Sequence, residues 1–402
     1  MNAPVAKRDS RMPAELAALN ARIDRHFARY GGGHITCGRR PGASDVRLTT
    51  NDYLALSRDR RILESQLGAL TTADAEVYMS GVYVQYLDAQ REVESRFAKF
   101  LGSEDAIICQ SGFAANEGLI QCLADADTPV FLDLYAHASL WQGALVAGAP
   151  THRFRHNDPA HLQKQVQRYG PGVVVVDAIY STSGDTCALH EMVDVCEEHG
   201  CTLVVDESHS MAVIGETGQG LVNLLGLTDR VPYRTFSLSK GFVGRGGVIA
   251  ASSRFIEYFR YESRPAVFSS VVLPWEIARF DRTLEVVQAE GRRRQRLSTL
   301  SAHLRDGLRN AGYKIGAADS QIIPLVAGPE ERTVQLRDAL ESRGIFGSVF
   351  SAPATPRHRS LVRLCVNAGL ADADIERVIA VCREIRNVLR PDKWPTLTKA
   401  RT

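Results

Sequence analysis

Nowhere in its 402 residues does the chain contain a Cys-x-x-Cys pair, a Gly-Lys-Ser or Gly-Lys-Thr, or an unbroken aliphatic run longer than 173–176. Eight scattered cysteines in a chain without an export signal read as reduced cytosolic thiols, neither a disulfide frame nor a zinc site. Residues 1–11 are charged and lack an apolar core, so neither a secretory signal nor a membrane span is expected, and the expected location is the cytoplasm. Asp206-Glu207-Ser208-His209 spells a helicase-type acidic motif, but without a phosphate-loop lysine nothing would cradle a triphosphate, which excludes a P-loop ATPase. His190-Glu191 has Asp194 and no second histidine one turn later, so a zincin is excluded as well and no metal site is expected. Excess charge is also missing. With 48 Lys and Arg against 46 Asp and Glu, the net +2 offers no basic footprint for a nucleic acid.

What is present is a 45% hydrophobic chain long enough for one large and one smaller domain. An amphipathic helix over 14–30, ended by the glycines at 31–33, belongs to an N-terminal arm, 1–48. From 49 to 284, short β-rich runs alternate with helix-length polar stretches: 106–109, 130–132, 173–176, 203–205, 235–238 and 247–251. These runs are apolar on successive residues, which predicts strands covered on both faces. The fold class is therefore α/β, a mostly parallel sheet with helices on either side. A smaller α/β domain is expected over 285–390, opened by a helix through Leu297, Leu300, Leu304 and Leu308, and a polar tail over 391–402.

Chemistry collects where the runs stop. The first leads into Ser111-Gly112-Phe113-Ala114-Ala115-Asn116, another into Asp206 and His209, another into Ser237-Leu238-Ser239-Lys240. Loops at the carboxyl ends of strands in an open α/β sheet converge on one crevice. A lysine directly after a strand, among hydroxyls and glycines, is placed to form an imine, and Asp206 to face a positively charged ring nitrogen. Ser111 and Gly112 at a strand-to-helix turn supply a phosphate cup on a helix N-terminus. Lysine, carboxylate and cup together are what pyridoxal 5'-phosphate (PLP) requires. The glycines of 244–247 lead into a strand rather than a helix and are read as turn formers.

On these segments, with Asn51-Asp52-Tyr53, Asp133, His137-Ala138-Ser139, His156-Asn157-Asp158, Asp177 to Ser181, Phe268-Ser269-Ser270 and Leu361 to Leu364, the chain resembles the α-oxoamine synthases, fold-type I PLP enzymes. Members join an amino acid to an acyl-CoA with loss of carbon dioxide. The resemblance implies Lys240 as the cofactor-binding lysine and proton acceptor, Asp206 as partner of the ring nitrogen, His209 as donor to the ring hydroxyl and His137 as the stacked imidazole. Ser111, Gly112, Phe113, Asn116, Ser181, Ser237 and Ser239 would surround the cofactor. Ser269 and Ser270 would reach the neighbouring subunit's cofactor, which implies a homodimer with shared sites. Arg363 would receive the substrate carboxylate. Two residues keep a second reading: His137 as a helix-start histidine, and Arg363 as a strand-end ion pair. Arg292 to Arg296 is read as a solvated helix face, with a CoA phosphate contact as its alternative.

Two departures narrow the resemblance. Where members that use glycine, alanine or serine carry a glycine- and serine-rich segment ending in arginine, this chain has 78–84, with Tyr78, Met79, Ser80, Val82, Tyr83 and Val84; where they carry a histidine it has Leu370. These stretches resemble the α-hydroxyketone autoinducer synthases of the cholerae autoinducer-1 type. That likeness implies a 2-aminobutyrate-like amino acid, a medium-chain acyl-CoA, and Tyr78 and Ser80 on the substrate side.

Overall fold

Strands buried on both faces need helices above and below, and the computed structural model, which describes residues 14–29, 34–72, 78–83 and 88–397, supplies them around two sheets. Residues 1–13, the glycines 31–33, Val84 and the tail residues 398–402 lie outside the described residues. β1 (Val46–Leu48) is followed by the seven strands of the large sheet: β2 (Asp105–Cys109), β3 (Val130–Asp133), β4 (Thr151–Phe154), β5 (Val173–Asp177), β6 (Thr202–Asp206), β7 (Tyr233–Ser237) and β8 (Gly247–Ala251). Its order is β2-β8-β7-β6-β5-β3-β4. Only β8 runs against its neighbours, so the sheet is mixed but mostly parallel, and β2, β3, β5, β6 and β7 all finish at one edge. Every residue of β3 and β5 is buried, as consecutive apolar residues demand. β4 was invisible to that reasoning because Thr-His-Arg-Phe at the sheet's rim buries only Phe154.

The small sheet holds β9 (Ile322–Gly328), β10 (Ile345–Phe350) and β11 (Ser360–Cys365) in the order β1-β10-β11-β9. β1 therefore leaves the arm to pair in parallel with β10, Val46 opposite Ile345. The expected helix through the four leucines is Gly291–Asn310, preceded by a second helix, Pro274–Ala289. Leu297, Leu300, Leu304 and Leu308 all point into the core, each worth about 2 kcal/mol of burial. Gly307 lets the helix Asp372–Leu389 approach, since a Cβ there would lie 2.3 Å from Ile379 Cδ1.

Three readings change. Arg292 to Arg296 is a solvated face only in part: Arg292 and Gln295 are exposed, but Arg294 is buried, donating to the carbonyls of Val287 and Glu216, and Arg293 donates to those of Leu54 and Ala55. Long arginine stems pack while their heads cap loose carbonyls. The glycines of 244–247 serve close packing, because a Cβ would stand 2.5 Å from Phe280 at Gly244 and 2.5 Å from the Ser111 carbonyl at Gly247. The left-handed residue in that turn is Val243, at φ 49°. The tail is packed as far as it is described: Trp394 is buried edge-on to Tyr313, and the Leu397 carbonyl accepts from Tyr135. Among the described residues no helix is long and apolar enough to cross a membrane, and no cluster of His, Cys, Asp or Glu is arranged to hold a metal.

Candidate active site

Ser111 caps the helix Gly112–Leu123, its Oγ accepting from Ala114 N at 3.0 Å. The start of this helix is pressed against the end of β7: a Cβ on Gly112 would lie 2.6 Å from Ser237 Cβ, so only glycine allows the approach. Ser237 Oγ and Ser239 Oγ are 2.7 Å apart, and Ser237 N donates to Ser208 Oγ at 2.8 Å. Hydroxyls, small residues and the positive end of a three-turn helix thus face one spot, a setting for an anion.

Asp206, buried at the end of β6, is fixed by two donors. Asn116 Nδ2 reaches its Oδ2 at 2.7 Å, and Ser208 N its Oδ1 at 2.8 Å. Asn116 Nδ2 also touches Ser139 Oγ at 2.9 Å, and Ser139 lies 2.7 Å from His137 Nδ1. His137 does cap the helix Ala138–Ala147 through Nδ1, as the second reading of this residue had it, while its backbone N–H donates to Asp177 at 3.0 Å. Its ring nevertheless belongs to the cluster: burial lowers its pKa, with Asp206 pulling it up and Lys240 pushing it down. Lys240 is likewise lowered by burial, opposed by Asp206 and Asp177 and assisted by Arg363. A group that loses its proton more readily is more often in the unprotonated form that can accept one. Burial also drives Asp177 well above the ordinary carboxyl range, helped by the neighbouring Asp206.

From the other sheet comes Arg363 of β11, buried, donating to Ser181 O at 2.9 Å and to Asn51 Oδ1 at 3.3 Å, with its guanidinium 4.6 Å from the Phe350 ring centre. Among the described residues no carboxylate pairs with it, so the ion-pair reading fails. The Tyr53 hydroxyl lies 2.6 Å from His209 Nδ1, and Gln321 Nε2 donates to the His209 carbonyl at 2.9 Å. Burial holds His209 well below its usual pKa, aided by Lys240 and Arg363, so it is neutral. Behind this cluster His156 stands between Asp133, 2.8 Å from Nδ1, and Asp185, 2.9 Å from Nε2.

The structure therefore brings together Lys240, Asp206, His137, His209, Asn116, Ser181 and Arg363, and beside them Ser111, Gly112, Ser237 and Ser239. Phe113, next to Gly112, is half exposed. Tyr78, Ser80, Ser269 and Ser270 form a separate strip: Ser80 bridges to Ser270, Ser80 Oγ donates to Val267 O, and Ser269 Oγ to Pro265 O. Gln110 Nε2, donating to Ser270 O at 3.0 Å, ties the strip to the phosphate side. Sequence reasoning matched Tyr53, Asn51 and Asp177 to family segments without giving them tasks. Asp177, at the end of a strand, carried the same signal as Asp206; Tyr53, Asn51 and Gln321 come into place only when the sheets meet.

Comparison with known proteins agrees with this arrangement. The family model for aminotransferase class I and II matches residues 43–381. The chain is 40% identical to a CAI-1 autoinducer synthase of Vibrio campbellii, over 88% of this chain and 90% of that one. It is 34% identical to an 8-amino-7-oxononanoate synthase of Anaeromyxobacter dehalogenans, over 95% and 97%. A solved serine palmitoyltransferase, described as SPT with PLP, superposes with a TM-score of 0.86 at 26% identity, covering 94% of this chain and 99% of that one. The site fits that cofactor: Lys240 lies within electrostatic reach of Asp206, the Gly112 cradle is closed to any Cβ, and Asn116 Oδ1 and Arg363 Nε are buried without a protein partner. A buried lysine, an anchored aspartate and a glycine-cradled helix start on this fold agree with the comparisons: the chain is a PLP-dependent member of the class I and II aminotransferase family, in its α-oxoamine synthase branch.

Proposed function

We propose that the protein condenses a small amino acid of the 2-aminobutyrate type with a medium-chain acyl-CoA, releasing CoA and carbon dioxide and yielding an α-aminoketone, the precursor of an α-hydroxyketone signal. The observation that carries the reading is Arg363: a buried guanidinium with an unpartnered Nε, brought from the small sheet into electrostatic contact with Lys240. An amino-acid carboxylate is the group such a fork receives. The 40% identity to the CAI-1 autoinducer synthase supports the signal-forming branch.

Bound here, PLP supplies an electron sink for the charge that develops at the amino-acid Cα. Asp206 would present its carboxylate to the ring nitrogen, and Asn116 and the Ser208 N–H hold that carboxylate in place. Ser111, Gly112, Phe113, Ser237 and Ser239 would hold the phosphate at the helix start. His137 would cover the ring, and His209 would meet its hydroxyl. Lys240 would hold the cofactor and would accept the Cα proton of the amino acid; burial favours its neutral form for that task. Arg363 fixes the carboxylate that leaves as carbon dioxide.

Exposed Tyr78, Met79 and Tyr83 offer apolar cover for an acyl chain. Six to eight buried methylenes would contribute roughly 5 to 6 kcal/mol before ordering costs. The exposed apolar face of the arm helix, Leu16, Leu19, Ile23 and Phe27, together with Phe268 beside Ser269 and Ser270, supports a homodimer with sites completed across the interface. Mass spectrometry of products from a panel of amino acids and acyl-CoAs tests the assignment. The expected optimum is a short alkyl amino acid with a medium acyl chain. An optimum at glycine or at a short charged acyl group would move the protein to the 8-amino-7-oxononanoate or serine palmitoyltransferase type, and turnover without CoA release would make it an aminotransferase.

A further inference from the structure

Asp133, Asp177 and Asp206 end neighbouring strands, yet the reaction above gives a task only to Asp206. Asp133 is buried and saturated: Oδ1 takes Tyr135 N at 2.8 Å and His156 Nδ1 at 2.8 Å, while Oδ2 takes Asn157 N at 2.7 Å and the Tyr180 hydroxyl at 2.9 Å. His156 reaches Asp185 Oδ2 at 2.9 Å with its other nitrogen, under a Tyr135 ring stacked at 4.4 Å and a Tyr180 edge at 4.4 Å. An imidazole with a carboxylate acceptor on each nitrogen donates from both, which makes it an imidazolium. Burial resists that charge, but the two carboxylates prevail and raise the pKa to about 9.

Asp185 belongs to the 180–185 loop that follows β5. The loop is folded on itself, Tyr180 N to Asp185 O at 3.1 Å and Gly184 N to Tyr180 O at 2.9 Å. It is wedged against the small sheet: Gly184 has φ +70°, a Cβ on it would lie 1.9 Å from the Ile322 carbonyl, and Ser320 Oγ donates to Gly184 O at 2.7 Å. Its Ser181 carbonyl is the acceptor for Arg363 Nη1 at 2.9 Å. The two aspartates around one cation thus grip this loop at both ends, Asp185 directly and Tyr180 through Asp133.

We infer that His156 is a positioning residue for amino-acid recognition: its imidazolium latches the 180–185 loop, and the loop aims Arg363 at the substrate carboxylate. The inference rests on Arg363 receiving that carboxylate, as proposed above. The test is the dissociation constant of the amino acid, read from the visible absorbance of the holoenzyme without acyl-CoA, for H156Q, R363Q and the double variant. H156Q should keep the cofactor and weaken amino-acid binding roughly ten- to a hundredfold, the scale of a small misplacement, with the KM for acyl-CoA unchanged. The double variant should bind no more weakly than R363Q, because the latch acts through the arginine. Full additivity, or parent-like binding by H156Q, overturns the latch. Unchanged binding by R363Q overturns the carboxylate assignment itself. Should H156Q not fold, D185N, which keeps the shape and removes one carboxylate charge, carries the same comparison.

Discussion

The charge on His156 makes stability fall with pH in a window of its own. The folded protein holds this proton to about pH 9, whereas the unfolded chain releases it near 6.5. Below 6.5 both states are protonated and the pairing with Asp133 and Asp185 contributes in full. Between 6.5 and about 9 the folded state binds more protons than the unfolded one, so the contribution shrinks with rising pH, and above 9 it is gone. The shift corresponds to about 3 kcal/mol, undiminished by screening because the side chain is 10% exposed. Asp133 and Asp185 face His156 as acceptors, and the Tyr135 and Tyr180 hydroxyls that flank it are raised above their usual value by burial and titrate outside the window. Glu94, which burial pushes up to about 7, is common to parent and variant and cancels. Denaturant unfolding of the parent and H156Q, at intervals from pH 7 to 9.5, should show the parent losing about 2.5 kcal/mol more than the variant, the part of the contribution that lies above pH 7. Parallel curves would mean that no proton is held between the two aspartates, and the latch would lose its charge.

Three further outcomes test the chemistry. K240A should lose turnover and the visible band of the lysine-bound cofactor while the fold persists by circular dichroism; retention of the band would show another amine to be the anchor. D206N should still bind the cofactor but slow turnover by on the order of a thousandfold or more, since an amide does not neutralise the ring nitrogen; a loss under about tenfold would leave Asp206 a structural partner of Asn116. Mixing K240A chains with S269A/S270A chains should restore activity through one intact site per heterodimer, and no recovery above the separate variants would place each site within a single chain.

How much of this was legible beforehand depends on the distance over which each signal acts. Strands such as 173–176 announce themselves because both faces are buried, and Asp206 and Lys240 because chemistry at a strand end has few structural excuses. β4 escaped because an edge strand with one buried residue has no apolar run to read. Arg294 was misread because charge alone says nothing of which carbonyls lie within reach of a long stem. Tyr53, Gln321 and the 180–185 loop become informative only when the small sheet closes on the large one, an event of tertiary contact with no local pattern.

Because β1 precedes every strand of the large sheet and its partner β10 follows them all, synthesis order bears on when the site can assemble. The strands β2 to β8 leave the ribosome as a consecutive set, able to pair as they appear. Val46 and Leu48, buried in the finished protein, wait without a sheet until β10 emerges. Asn51 and Tyr53, which follow β1 closely and meet Arg363 and His209, wait with them. A nascent chain with its large sheet already folded therefore carries Lys240 and Asp206 without the Arg363–Asn51 and His209–Tyr53 contacts, which form only once the small sheet has closed.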